Sequence, residues 1–171
     1  WSSDSKSIYF TANAQGYNPV YKVDIQTKNI TKITDDKSVA GYQTSKDENT
    51  LYLTFSTVEK PKEIYSYNVN GSEYSQLTYS NKKIGEDVDI RNAEQIWVDG
   101  ADGIPVHVFI IKPHEFDPTK KYPLIINVHG GPQMQWMDSF RGDWQVYAGS
   151  GYITVFFNPH GSTGYGSKYC E

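Results

Sequence analysis

Hydrophobic and polar positions alternate through most of the first eighty residues. Ile8-Tyr9-Phe10 follows the polar turn Ser3-Asp4-Ser5-Lys6, and Leu51-Tyr52-Leu53 follows Lys46-Asp47-Glu48-Asn49. Period-two runs that begin after polar turns predict short strands. The pattern repeats. Ile8 matches Leu51, Tyr9 matches Tyr52 and Thr11 matches Thr54, each 43 positions apart; Tyr21 matches Tyr65, Ile33 matches Leu77 and Thr34 matches Thr78, each 44 apart. Within each unit a Tyr/Val strand follows (Val20–Asp24; Ile64–Asn68). A tight turn (Gln26–Asn29; Asn70-Gly71-Ser72) then leads to a last strand (Ile30–Ile33; Tyr74–Leu77). A period in the forties with this alternation predicts β-propeller blades, small sheets that bury both faces only by stacking on neighbours. Two such units are legible, against about four to eight in a closed ring, so the propeller is read as incomplete. An all-β sandwich is the alternative.

From Asn81 the texture changes. Lys82–Asn92 is polar and reads as a linker. Ile96-Trp97-Val98, the turn Asp99–Gly103 and Val106–Ile111 read as strand, turn and strand, and Lys112–Lys121, with Pro113 and Pro118, as a surface loop. Leu124–Val128 is an almost unbroken apolar run, which predicts a strand buried on both faces. Ser139–Gly149 predicts a helix with Phe140, Trp144, Val146 and Tyr147 on its apolar side. Tyr152–Phe157 predicts a second buried strand. Strand, helix, strand is the βαβ pattern of an α/β domain with parallel strands.

Composition narrows the class. The 171 residues are 37% hydrophobic and 15% aromatic, with a net charge of −4. These values exclude disorder, and no apolar run nears the ~18 residues of a spanning helix, so no membrane partner is expected. The acidic balance gives no reason to expect nucleic acid. A single cysteine, Cys170, excludes an internal disulfide scaffold. The chain opens at Trp1, its only methionines are Met134 and Met137, and it stops after a glycine-rich loop, so it is read as an internal piece of a longer protein. Its compartment is open, either cytoplasmic or periplasmic and secreted.

Two segments carry candidate chemistry. His129-Gly130-Gly131-Pro132 directly follows the Leu124–Val128 strand. Two glycines there allow a sharp turn and leave N–H groups bare, the arrangement of an oxyanion hole. Asn158-Pro159-His160-Gly161-Ser162-Thr163-Gly164-Tyr165-Gly166 follows the next strand, and its three glycines predict unusual backbone angles. It lacks the Gly-Lys-Ser/Thr of a phosphate loop. Ligands of open α/β sheets bind at the carboxyl ends of strands, where both segments are expected.

Asn158–Gly166 resembles the Asn-Pro-Arg-Gly-Ser-Thr-Gly-Tyr-Gly element of the prolyl oligopeptidase family of serine peptidases. His129–Pro132 is similar to that family's His-Gly-Gly-Pro element about thirty residues upstream. With Gln133, Trp136-Met137-Asp138-Ser139 and the Trp1–Lys6 opening, the resemblance is strongest to the dipeptidyl-peptidase V branch, near the acylaminoacyl-peptidases. It implies the end of a propeller (residues 1–82) followed by the first part of an α/β-hydrolase domain (83–171). It also implies a serine exopeptidase acting on short peptides through an acyl-enzyme. By the same resemblance Gly131, more than Gly130, supplies an oxyanion-hole N–H, while His129, Pro132, Asn158, His160, Gly161 and Tyr165 form loops beside the active site. His160 departs from the arginine many relatives carry. No Gly-x-Ser-x-Gly elbow occurs, so the catalytic serine, aspartate and histidine are expected beyond Glu171 and the isolated chain is expected to be inactive. The alternatives are a non-catalytic interaction protein of the same architecture and an esterase or lipase on the same fold.

Other residues read more plainly. His107 alternates with Val106 and Val108 and is expected to face outward; His114 is expected to be solvated. The histidines lack metal-ligand spacing, so neither metal nor cofactor is expected. Asp99 and Asp102 favour a turn, and Cys170 has no activating neighbour. A homo-oligomer is left open.

Overall fold

The computed structural model describes residues 1–131 and 133–171 and contains three sheets. The first is an antiparallel meander of β1 (Ser7–Thr11), β2 (Val20–Asp24) and β3 (Ile30–Lys32). The second is an antiparallel meander of β4 (Ser38–Thr44), β5 (Thr50–Thr57), β6 (Lys60–Asn68) and β7 (Glu73–Gln76). The sequence reading contains no strand at Ser38–Thr44. Its alternation is interrupted by Ala40-Gly41, where the register with β5 shifts between Val39 and Gly41.

The repeat extends to individual hydrogen bonds. Ser2 Oγ donates to Asp4 Oδ1 at 2.7 Å, and Ser45 Oγ to Asp47 Oδ1 at 2.6 Å. The Ser7 N–H donates to Ser2 Oγ and the Thr50 N–H to Ser45 Oγ. Ser5 and Glu48 share a φ of 60° in these turns. At the far end of each unit the Val20 N–H donates to Thr34 Oγ1 and the Ile64 N–H to Thr78 Oγ1. The partners again stand 43 or 44 residues apart, so the two sheets are copies of one module. They share a core in which Leu51, Leu53, Phe55 and Tyr67 pack on Tyr9 and Val20.

A short helix, α1 (Lys82–Asp87), occupies part of the expected linker. The third sheet has the order β10-β11-β9-β8, formed by β8 (Ala93–Asp99), β9 (Pro105–Ile111), β10 (Leu124–Asn127) and β11 (Ile153–Asn158). A 3-10 turn at Ala101–Gly103 joins β8 to β9. β10 and β11 are parallel and connect through α2 (Gly142–Gly149), which is the expected βαβ unit. A last turn, α3 (Ser167–Cys170), follows β11.

Three expectations need correction. α2 buries Trp144 and Ala148, whereas Val146 is exposed and Phe140 precedes the helix. The Leu124–Val128 run is not buried on both faces: Leu124, Ile126 and Val128 are more than half exposed. α2 covers only one side of the sheet, and β10 lies at its edge. His107 is buried, not outward-facing. It shares the α2-covered face with Phe109 and Ile111, while Val106, Val108 and Ile110 line the open face. The alternation along β9 holds, but its phase is the opposite of the one expected.

The covered face holds a second core of Phe109, Ile111, Trp144, Ala148 and Phe156, with the Trp144 and Phe156 rings stacked 3.8 Å apart. Val58, from the turn between β5 and β6, is fully buried in this core. The second module and the α/β sheet are thereby packed together. Burying such a valine contributes about 1.5–3 kcal/mol.

Candidate functional site

The two predicted segments leave the carboxyl ends of the adjacent parallel strands β10 and β11, and the structure brings them together. His129 is buried and Ser162 has no exposed surface. Ser162 Oγ donates to the Pro159 carbonyl at 2.6 Å and lies 3.0 Å from His129 Nε2. Its proton is committed to Pro159, so it accepts from the His129 Nε2–H. This serine–histidine pair is a tie between loops; its oxygen is neither exposed nor free to attack a carbonyl. A second tie runs from the Thr163 N–H to the Met134 carbonyl at 3.0 Å.

Between these ties sit Gly130 and Gly131. Gly131 has a φ of +92°, a conformation that side chains other than glycine's rarely adopt. Both glycines are exposed, and among the described residues neither N–H donates a hydrogen bond. Pro132, expected in the same loop, lies outside the described residues.

Asn158 is fully buried at the end of β11. Its Oδ1 accepts the Trp136 N–H at 2.7 Å, and its Nδ2 donates to the Trp136 carbonyl and to Tyr165 Oη at 2.8 Å. Burial pushes the Tyr165 hydroxyl pKa up, so the phenol keeps its proton. Gly161, with φ +99°, donates its N–H to the Tyr169 carbonyl at 2.6 Å. His160 is exposed and stands edge-on to the Tyr169 ring, apart from the His129–Ser162 tie. His114 is exposed, as expected, and pairs with Asp89.

Sequence reasoning missed residues that attach the modules to these loops. Gln135 is buried; its Oε1 accepts the Gly16 N–H at 3.0 Å and its Nε2 donates to the Tyr17 carbonyl at 2.8 Å. The Gln15 N–H donates to the Gly164 carbonyl, and Asn13 Nδ2 to Thr163 Oγ1. The Asn13–Tyr17 turn is thus seated against both loops. No local signal marks Gln135, because its partners stand 118 and 119 residues away. His107 could have been found had its strand been phased from Phe109 and Ile111. Its ring nitrogens meet Tyr165 and Gln95, Trp97 stacks on it at 4.6 Å, and burial lowers its pKa to about 4.

Among the described residues no three His, Cys, Asp or Glu side chains converge as metal ligands, and no helix is long and apolar enough to cross a membrane. A cleft of about 560 Å³ lies elsewhere, between β6 and α1, lined by residues such as Glu59, Glu63, Asn81 and Val88. It contains none of the predicted site residues.

No family model matches the chain. It is 31% identical over 99% of its length to "Uncharacterized peptidase YuxL" of Bacillus subtilis, covering 26% of that protein. It is 32% identical over 96% of its length to "Dipeptidyl-peptidase 5" of Schizosaccharomyces pombe, covering 24% of that protein. The fold superimposes on the acylaminoacyl peptidase of Pyrococcus horikoshii with a TM-score of 0.81 and 28% identity, over 96% of this chain and 25% of that one. The chain spans about a quarter of the length of each of these relatives.

Proposed function

We propose that this chain, a relative in sequence and fold of peptidases of the prolyl oligopeptidase family, is the part of a serine exopeptidase that joins a β-propeller to the start of its α/β-hydrolase domain. Residues 1–82 are two propeller blades and residues 83–171 open the hydrolase domain. The substrates are short peptides, and the loop at Gly130–Gly131 supplies part of the oxyanion hole.

The observation that carries this reading is the placement of two N–H groups, undonated among the described residues, at the carboxyl end of a parallel strand and between two ties to the next strand's loop. A serine attacking a peptide carbonyl turns its oxygen into an oxyanion, and bare N–H groups held in advance stabilise that charge as it forms. One such donor is worth about 3–4 kcal/mol of barrier. The nucleophile, its histidine and its aspartate are assigned to the protein outside these residues, because Ser162, which pairs with His129, is enclosed and already donating. The acyl-enzyme formed on that external serine would then be hydrolysed by water with the histidine as base.

The blade assignment rests on the repeated module. Ile8, Phe10, Tyr21 and Val23 of the first sheet occupy the positions of Leu51, Leu53, Tyr65 and Tyr67 of the second. The second set packs against the first module; the first set faces away from it, ready for an equivalent neighbour.

Treating the full-length protein with a fluorophosphonate probe tests the proposal. One serine, outside residues 1–171, is expected to be labelled, with loss of dipeptidyl- or acyl-peptide amide hydrolysis. Absence of labelling, or labelling at Ser162, would refute it.

A further inference from the structure

We infer that His107 is a positioning residue: with Tyr165, Gln95 and Tyr17 it forms a one-way hydrogen-bond chain through which the Asn13–Tyr17 turn of the first module fixes the loop after β11. The inference rests on the peptidase reading above for its link to turnover, but the chain follows from geometry alone.

One backbone group sets the direction at Asn158, and the remaining directions follow from giving each proton an acceptor. The Trp136 N–H can only donate, so the Asn158 side-chain oxygen must face it, at 2.7 Å. The Asn158 amide nitrogen is thereby turned to Tyr165 Oη, at 2.8 Å, and donates to it. The Tyr165 proton is left for His107 Nδ1, at 2.9 Å. With Nδ1 accepting, the neutral imidazole carries its proton on Nε2, which donates to Gln95 Oε1 at 3.1 Å. The Gln95 amide nitrogen then donates to Tyr17 Oη at 2.7 Å. Reversal at His107 would leave the Tyr165 proton without an acceptor among the described residues.

The chain lies in a tight setting. Trp97 and Phe109 flank the His107 ring. A Cβ on Gly16 would stand 2.7 Å from the Phe109 ring, so only glycine brings the Asn13–Tyr17 turn this close. The turn therefore meets the chain by contact at Gly16 and by hydrogen bond at Tyr17. At the other end Tyr165 belongs to the loop whose Ser162 holds His129, next to Gly130–Gly131. Groups that share one hydrogen-bond network respond together and not additively.

The test uses the full-length protein. Solution NMR of the His107 ring is expected to show a bare Nδ1 and a protonated Nε2; the opposite tautomer would overturn the chain whatever the protein's activity. In peptide-amide turnover, Tyr165→Phe and His107→Phe are expected to lower kcat roughly 10- to 100-fold with KM within about twofold, the scale of a small misplacement of reacting groups. Affinity for a peptide aldehyde, which forms an oxyanion-like adduct, should fall in parallel, while affinity for a product peptide holds. Tyr17→Phe, at the partly exposed end, should cause a smaller loss that vanishes in the Tyr17→Phe/Tyr165→Phe double variant, and it keeps the inference testable if the buried variants do not fold. Wild-type kcat in Tyr165→Phe, or additive losses in the double variant, would overturn the positioning role. An unmodified protein that neither hydrolyses peptides nor takes the fluorophosphonate would sink the peptidase reading, leaving the tautomer to decide the chain.

Discussion

Asp138 accepts the Val58 N–H on its carboxylate at 2.7 Å. Its own backbone N–H donates to the Gly16 carbonyl at 2.8 Å. Gly16 and Val58 lie on the equivalent turns of the two modules, so a single residue of the α/β half holds both. Removing the carboxylate leaves the buried Val58 N–H without its partner, which costs about 1–3 kcal/mol. Asp138→Ala is therefore expected to lower unfolding free energy by that amount in urea titrations, whereas Asp138→Asn, which keeps a carbonyl, should lose far less.

The same carboxyl gives a pH signature. Burial pushes its pKa up, against the opposing pull of the Val58 N–H and Lys37. The folded state then binds a proton more readily than the unfolded chain. The penalty of the buried charge is full above the folded pKa and is relieved as pH falls through it. Comparing Asp138→Asn with the unmodified protein from neutral pH into the carboxylate range should isolate this gain on acidification; an identical pH profile in the two would disprove it.

Glu48 has the opposite sign. The Ser3 N–H lowers its pKa most, followed by the hydroxyls of Tyr9 and Ser3 and then Lys22, taking it from 4.5 to about 2. All of these partners belong to the preceding module. A lowered carboxyl contributes stability above its unfolded pKa and loses it as pH falls through the folded value. Stability should decline between pH 4.5 and about 2, and Glu48→Gln should flatten that limb of the acid-unfolding curve.

Much of this was legible in the chain. The 43- and 44-residue spacings marked two equivalent modules because turns and strand pairs impose strict local rules, and β2 falls at Val20–Asp24 as the pattern predicts. β4 was illegible because a bulge breaks its alternation. The two glycine-rich loops were found because each follows an apolar run. Their ties to each other, and to Gln135 and Asp138, were not, because those bonds join residues far apart in sequence. The facing of His107 is not legible, because alternation states that neighbours face opposite ways but not which way is covered; that depends on where α2 packs.

Gly131 separates backbone geometry from space. Among the described residues nothing stands within 4 Å of a Cβ built on it, so none of them collides with Gly131→Ala. The obstacle is the φ of +92°, which costs an alanine about 1–2 kcal/mol. Alanine would relax that angle and turn the Gly131 N–H. In the full-length protein kcat for peptide amides should fall by roughly 10²-fold, the cost of an oxyanion donor, with little change in melting temperature. Gly130→Ala, which meets no neighbour and lacks the positive φ, should stay near wild type.

The open face of the third sheet makes the last prediction. By register, Leu124 and Ile126 of β10, Val155 of β11, Val108 and Ile110 of β9, and Ile96 and Val98 of β8 share it. Ile126 is 55% exposed. The β10–β11 pair is parallel, the arrangement that ordinarily carries helices on both faces, and a right-handed crossover places α2 on only one. A contiguous apolar face of this kind marks an interface, and helices of the full-length protein are expected to cover it. The consequence is a substitution whose effect depends on chain length. Ile126→Ala in the 171-residue polypeptide should change stability by no more than about 0.5 kcal/mol, as at an exposed position. In the full-length protein it should cost about 2–5 kcal/mol, as for a buried isoleucine. Chemical denaturation of both pairs reads the difference directly, and equal effects in the two would mean that the face stays bare.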